Sequence, residues 1–507
     1  MNIKNIKTYI LSGILALSMS SCLDKYPEDS IRMDEAINTV GDMDKLVYGI
    51  YDSFKSSALY SGNLTILPDL QADFVYCVKG YSNAYGDIYR WKDIKATNTD
   101  IESVYGALYG VINNANFLLD NVDKVKANTN SDKELDKLEQ CEGEAYFARA
   151  LAYSELIKCF CKAYDSDEQA AKELGVVLTE HYYGNEPQKR ATLKESYDFV
   201  LRDLDKATEY LKVDEDFTGT LYDEIYFNEY ACHALRARVS LYMHRWDDAI
   251  KYASKVINSK YYVLASCTQK IGNTSYYQYQ WTAGKSTEGI WKVGFTVNSY
   301  GGALGTIFDN YNYVSYRPDY VPETWVINSF DSNDLRAAAI FTTRTTGYEH
   351  GLQWPLLSKY FGDAEFLNNN ILHVHQPMVF RLSEQYLIRA EAYAMNGEYG
   401  KAGKDISTLR TARYSSYGGN TSMSDESSAM KIIESERVKE LYMEGFRLND
   451  LKRWHKGFER KAADQPAANF VQSSLKVEKD DPLFVWPIPQ HELEAPGSEI
   501  QPNESNK

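Results

Sequence analysis

Two segments far apart in this chain carry the same apolar spacing. Trp246, Ala249, Ala253 and Val256 follow one another at steps of three, four and three, and Tyr399, Ala402, Ile406 and Leu409 repeat those steps 153 residues later. Such steps line one face of an α-helix, so the chain is committed to amphipathic helices that bury a narrow stripe. Val104, Leu108, Val111, Ala115, Leu118 and Val122 predict another such stripe, and Leu193, Tyr197, Val200, Leu204, Ala207 and Leu211 a third. The stretch from Gly143 to Phe160 is rich in alanine and leucine and reads the same way. A recurring helical pair is a repeat signature, and a mainly α fold follows.

The segment 266–376 interrupts this pattern. It is rich in Gly, Tyr, Thr, Asn and Ser, as in SYYQYQWTAGKSTEGIW (Ser275 to Trp291) and GGALGTIFDNYNYVSYRPDY (Gly301 to Tyr320). That composition favours turns, ordered loops and short strands. An irregular stretch this long inside a helical scaffold is usually functional. A second tyrosine-rich stretch, Asp73 to Trp91, precedes the long helices. The expected division is a 1–21 export signal, a 22–40 linker, a 41–265 helical part, a 266–376 loop-rich insertion and a 377–507 helical part with a closing tail. Residues 22–507 are expected to form one compact domain.

The chain start names a compartment. Lys4 and Lys7 precede a short apolar run from Ile10 to Met19, then Ser20, Ser21 and Cys22, the pattern of an exported lipoprotein whose first mature residue is a lipidated cysteine. The run is too short to span a bilayer, and no later segment approaches twenty apolar residues. The formal charge moves from −16 to −18 when Lys4 and Lys7 are removed, which disfavours nucleic acid as a partner.

Metal and catalytic chemistry find little support. Cys77, Cys141, Cys159, Cys161, Cys232 and Cys267 make no Cys-x-x-Cys pair, and Cys141, Cys159, Cys161 and Cys232 read as small buried hydrophobes. His373 and His375 would share a side of a strand, but no third ligand stands near them. Asp331, Asn333 and Asp334 lack the glycine and closing glutamate of a calcium loop. Gly301, Gly302 and Gly305 do not open a helix after a strand, as a phosphate cradle would. Glu436, Arg437, Glu440, Glu444 and Arg447, like Arg381, Glu384, Arg389 and Glu391, are spaced for ion pairs along a helix, each worth about 0.2–0.5 kcal/mol. No cofactor, no metal and no catalytic residue is assigned.

Tyrosine occurs 41 times against 19 Phe and 8 Trp, and its flat apolar face with a polar tip suits a wet recognition surface. Sugar sites need aromatic platforms edged by amides, carboxylates or guanidinium groups. Asp73, Tyr81, Asn83, Tyr85, Tyr89 and Trp91 supply that mixture in the first loop region. Tyr277, Tyr279, Gln280, Trp281, Tyr311, Asn312 and Tyr313 supply it in the second.

Ala390, Tyr393, Gly397, Tyr399 and Ala402 resemble a tetratricopeptide repeat, with Gly397 at the turn. Five further blocks in order resemble the SusD/RagB family. They are SCLDKYPEDSI (Ser21 to Ile31), VYGALYGVINNANFLLDNV (Val104 to Val122), VFRLSEQYLIRAEAYAMNGEYGKA (Val379 to Ala402), ERVKELYMEGFRLNDLKRW (Glu436 to Trp454) and FVWPIPQHEL (Phe484 to Leu493). The tail IQPNESNK departs from the family's usual Asn-Pro-Gly-Tyr ending. The resemblance implies a superhelix of tetratricopeptide-like helices with a loop-rich face. It also implies a nutrient-binding lipoprotein, displayed on the outer membrane through Cys22, that captures a glycan for a SusC-like TonB-dependent transporter without catalysis. Oligopeptide capture is the alternative within the family. A surface glycoside hydrolase, with two carboxylates about 5–10 Å apart, is the alternative outside it, and a scaffold binding only proteins is a third.

Overall fold

Long helices carry most of the residues described by the computed structural model, which are 36–184, 188–213, 225–348, 351, 353–461 and 474–507. Cys22 and the 1–21 export signal lie outside the described residues. The first block comprises α1 (Val40–Ser53), α2 (Asn63–Gln71), α3 (Thr99–Ala127), α4 (Asp132–Phe160) and α5 (Leu193–Tyr210). The paired helices α6 (Glu229–Tyr242) and α7 (Trp246–Ile257) follow. After the short α8 (Tyr276–Thr282) come α9 (Leu382–Met395), α10 (Tyr399–Arg413), α11 (Glu426–Glu440) and α12 (Arg447–Arg453). Every sheet among the described residues is a two-stranded antiparallel pair, so the fold is mainly α.

The predicted stripe on α3 is buried from Val104 through Val122, and the Asn98 side chain caps the helix by accepting from the Asp100 and Ile101 amides. α3 packs on α4, and α4 on α5. A Cβ at Gly143 of α4 would lie 2.7 Å from Cβ of Tyr210, so only glycine lets α5 come this near. The carbonyls ending α4 are capped from distant sequence. Lys452 Nζ donates to those of Lys158 (2.5 Å) and Cys161 (2.9 Å), the Trp486 amide to Cys159 and Asn503 Nδ2 to Phe160. These bonds hold the closing block against the first helices.

The two repeat copies lie side by side. α7 packs on α9, and Ala237, Leu241, Ala249, Ala253, Ile388 and Ala392 form one cluster in which alanines permit the close approach. Gly397 turns between α9 and α10 at φ +74°, as expected. Exactly one repeat spacing earlier, His244 takes the same left-handed turn at φ +55°, its ring stacked 4.8 Å from Trp246. Chain leaving α7 is brought back to α9 by the antiparallel pairing of Gly289–Lys292 with Met378–Arg381.

The charged residues of α9 and α11 depart from expectation. Instead of pairing along an exposed helix, they cross-link buried elements. Glu440, fully buried, receives Arg336 (3.0 Å), Arg381 (2.6 Å) and Arg413 (2.8 Å), while Glu288 receives Arg381 (3.0 Å) and Arg413 (2.9 Å). Glu444 takes Lys359 (2.5 Å) and Arg381 (2.7 Å). Arg437 pairs with Asp450, Arg447 with Asp73, Arg389 with Asp405, Glu384 with Arg238 and Glu391 with Arg453. Helical spacing places charges on one face but says nothing of whether that face meets water. Here it meets protein, and the partners come from elsewhere in the chain.

All six described cysteines are buried and unbridged, as read for the four in helices. His373 and His375 face separate partners. His373 Nε2 faces the Tyr311 amide at 3.0 Å, and His375 Nδ1 faces Asp363 at 2.5 Å.

Candidate ligand-binding face

The two tyrosine-rich regions are joined by backbone. Val75–Cys77 pairs antiparallel with Tyr320–Pro322, register Tyr76 to Val321, which lays the loop after Cys77 beside the loop before Tyr320. Asp319 then accepts from the amide (2.7 Å) and hydroxyl (2.6 Å) of Ser82, and Tyr320 donates to the Ala84 carbonyl at 2.6 Å. Tyr81 packs edge-on to Tyr320 at 5.8 Å.

Within this frame, the segment 309–316 presents an aromatic platform. Tyr311 stacks on Tyr316 with centroids 4.5 Å apart and planes 23° from parallel, Tyr313 stands 5.8 Å from Tyr311, and Phe361 backs both Tyr311 (5.8 Å) and Tyr316 (6.3 Å). Tyr313 is 58% exposed and Val314 87%. The turn is built to hold them there. Asn312 Oδ1 accepts from the Val314 and Ser315 amides, while Asn310 and Tyr313 sit at positive φ, +39° and +67°. Asn83 (+67°), Tyr85 (+57°), Asn370 (+60°) and His373 (+65°), in the loops around it, share that strained region. Left-handed non-glycine residues gathered in neighbouring loops are a mark of functional surfaces.

The residues expected to bind ligand divide by burial. Tyr313 is on the platform with Tyr311 and exposed Asn312, and Tyr81 and Asn83 lie in the adjoining loop, where Arg90 ties them together and Tyr81 donates to Asn83 Oδ1 at 2.8 Å. Tyr85 is half-buried and donates to Asn63. Tyr279 is half-buried on α8.

Others must be corrected to core. Tyr277, Trp281 and Tyr89 are buried, and cations cover their faces: Arg413 lies 4.4 Å from the Tyr277 ring, Lys359 3.9 Å from Trp281 and Arg460 4.1 Å from Tyr89. Burial leaves these rings no open face for a sugar, and a cation already occupies one face of each. Gln280 is buried beneath Ser286. Asp73 is committed to a two-pronged pair with Arg447 at 2.8 and 2.9 Å. Trp91 donates to the Gln71 carbonyl and packs edge-on to Phe458 and Phe484, away from the platform.

Tyr316, Phe361, Arg317 and Arg344 were not foreseen. The signal for Tyr316 was present in NYNYVSY, three tyrosines set between turn-forming asparagines. Phe361 and Arg344 come from distant sequence and carried none. Two buried groups of the platform lack partners: Asp309 Oδ2 and His373 Nδ1 make no hydrogen bond. Burial pushes the Asp309 carboxyl well above the usual carboxylate range, with Arg344 opposing, and lowers the His373 imidazole.

Among the described residues no group of three or more His, Cys, Asp or Glu could hold a metal, and no helix is long and apolar enough to cross a membrane.

Comparisons with known proteins agree across the chain. A sequence model described as the SusD family matches residues 341–503, and one described as starch-binding, associating with outer membrane, matches residues 22–241. The SusD-like protein P25 of Formosa agariphila is 20% identical over 511 residues, covering 90% of each chain. A SusD superfamily crystal structure from Bacteroides thetaiotaomicron superposes with a TM-score of 0.75 at 23% identity, covering 92% of this chain and 99% of the other. The surface glycan-binding protein A of Bacteroides fluxus superposes with a TM-score of 0.66 at 20% identity, covering 92% and 100%.

Proposed function

The chain belongs to the SusD/RagB family, and on that premise we propose that it is a lipid-anchored, surface-exposed outer-membrane protein that binds an oligosaccharide and passes it to a SusC-like TonB-dependent transporter. The observation that carries the reading is the platform of Tyr311, Tyr316 and Phe361, half-buried, with exposed Tyr313 raised on a strained, hydrogen-bonded turn. A pyranose ring offers C–H groups to such a surface and hydroxyls to the polar groups beside it, here exposed Asn312. Relatives described as starch-binding and glycan-binding support the ligand class. The outer-membrane match begins at Cys22, the residue read as lipidated.

Binding without bond cleavage is favoured by where the loop carboxylates are spent. Asp73 is paired with Arg447, Asp319 is bonded to Ser82, and Asp309 is buried behind the platform. The 22–40, 41–265, 266–376 and 377–507 divisions are proposed as parts of one compact domain, the third bearing the face.

Titrating the protein with oligosaccharide and oligopeptide panels tests the reading. Sugar binding that weakens in Tyr313→Ala is expected. Peptide binding with no sugar binding would move the protein to the peptide-binding branch, and hydrolysis of a bound oligosaccharide would make it an enzyme. Co-purification of a TonB-dependent transporter with the intact protein tests the partner.

A further inference from the structure

We propose that the oligosaccharide taken by this face is anionic, bearing carboxylate or sulfate groups; this rests on the glycan reading above and narrows it. Of the described arginines that are not buried, Arg90, Arg202, Arg236, Arg245, Arg389 and Arg410 each pair with a carboxylate. Arg317 and Arg344 depart from that habit at the platform. Both are exposed, and neither forms an ion pair among the described residues.

Each guanidinium rests over an aromatic ring instead. Arg344 Cζ lies 5.3 Å from the Tyr316 ring and Arg317 Cζ 5.9 Å from the Tyr348 ring. Tyr348 is held by its hydroxyl, which donates to the Pro318 carbonyl at 2.7 Å. An arginine lying against a ring keeps its N–H edge free for the paired oxygens of a carboxylate or sulfate. Exposed Lys79 adds a third cation nearby, since the next residue, Gly80, abuts Tyr348.

The carboxyl that would offset Arg344 is Asp309, and it is only 2% exposed with one oxygen unbonded. Burial raises its carboxyl well above the usual carboxylate range, which weakens its hold on Arg344. Aromatic surface and uncompensated guanidinium groups on one face match a sugar chain carrying acidic substituents. A neutral glycan would leave two charges unused.

Calorimetric titration of the purified protein with an oligogalacturonate, a sulfated galacto-oligosaccharide and a neutral malto-oligosaccharide of matched length tests this. The expected result is that at least one anionic ligand binds about tenfold or more tightly than the neutral one, with affinity falling as salt rises. The uronate and sulfate arms identify which group is recognised. In R317Q/R344Q the anionic ligand should lose about tenfold or more while the thermal unfolding profile stays unchanged. Neutral ligand binding equally or more tightly, through Tyr313, would overturn the charge inference and leave the glycan face standing. Binding of none of the three would overturn both.

Discussion

Tyr313 and Trp281 are both aromatic residues in loop-rich sequence, and only burial distinguishes them. Tyr313 is 58% exposed, so Tyr313→Ala should leave stability within about 0.5 kcal/mol and cost sugar affinity about 0.5–1.5 kcal/mol, roughly two- to thirteenfold, in a titration. Trp281 is 2% exposed beneath Lys359, so Trp281→Ala should lower unfolding stability by about 3–5 kcal/mol, read in denaturant. The sequence placed both in a sugar-site composition and could not separate them. Composition reports which side chains are present, whereas the cations that cover Tyr277, Trp281 and Tyr89 arrive from residues 413, 359 and 460. Tyr313 itself was legible because its turn is local, made by Asn310 and Asn312.

At the scale of elements, the repeated helical pair is the part read most directly. Its periodicity, its turn at Gly397 and its alanine face are encoded within about 35 residues each time. That encoding makes a sharp test, because two neighbouring glycines have opposite roles. Gly397 sits at φ +74° with open space around it, so Gly397→Ala should cost about 1–2 kcal/mol from backbone strain alone. Gly400 lies exposed in α10 with nothing near it, so Gly400→Ala should gain about 0.5–1 kcal/mol. Chemical denaturation of the two variants reads both signs.

The ion pairs between elements were not legible, since their partners lie up to hundreds of residues apart. They make stability depend on acid. Burial pushes Glu436 up, but Arg336, Lys439 and Arg410 outweigh it and hold the carboxyl down at about 2 against an ordinary 4.5. A depressed carboxylate stabilises the fold above its unfolded pKa and loses that contribution as pH falls through the folded one. Stability should therefore be flat in this contribution above about pH 5 and decline between about 4.5 and 2, by on the order of 3 kcal/mol from Glu436 alone. Unfolding measured across that range checks it, and Glu436→Gln should flatten the decline.

For the whole molecule, a helical scaffold holds one loop-rich face whose two tyrosine regions are joined through a strand pair 245 residues apart in register, Tyr76 to Val321. The closing tail caps α4, which ties the chain's last block to its first helices. On the proposed reading, tethering and binding belong to separate parts of the chain, because Cys22 precedes the described fold. Cys22→Ala should release the protein from the membrane fraction and leave its oligosaccharide affinity unchanged, as measured on the released protein. The most direct test of the binding face is a crystal structure of the protein soaked with the tightest-binding oligosaccharide. Sugar rings stacked on Tyr311 or Tyr313, within reach of Arg344, are predicted; sugar bound elsewhere with the platform bare would contradict the account.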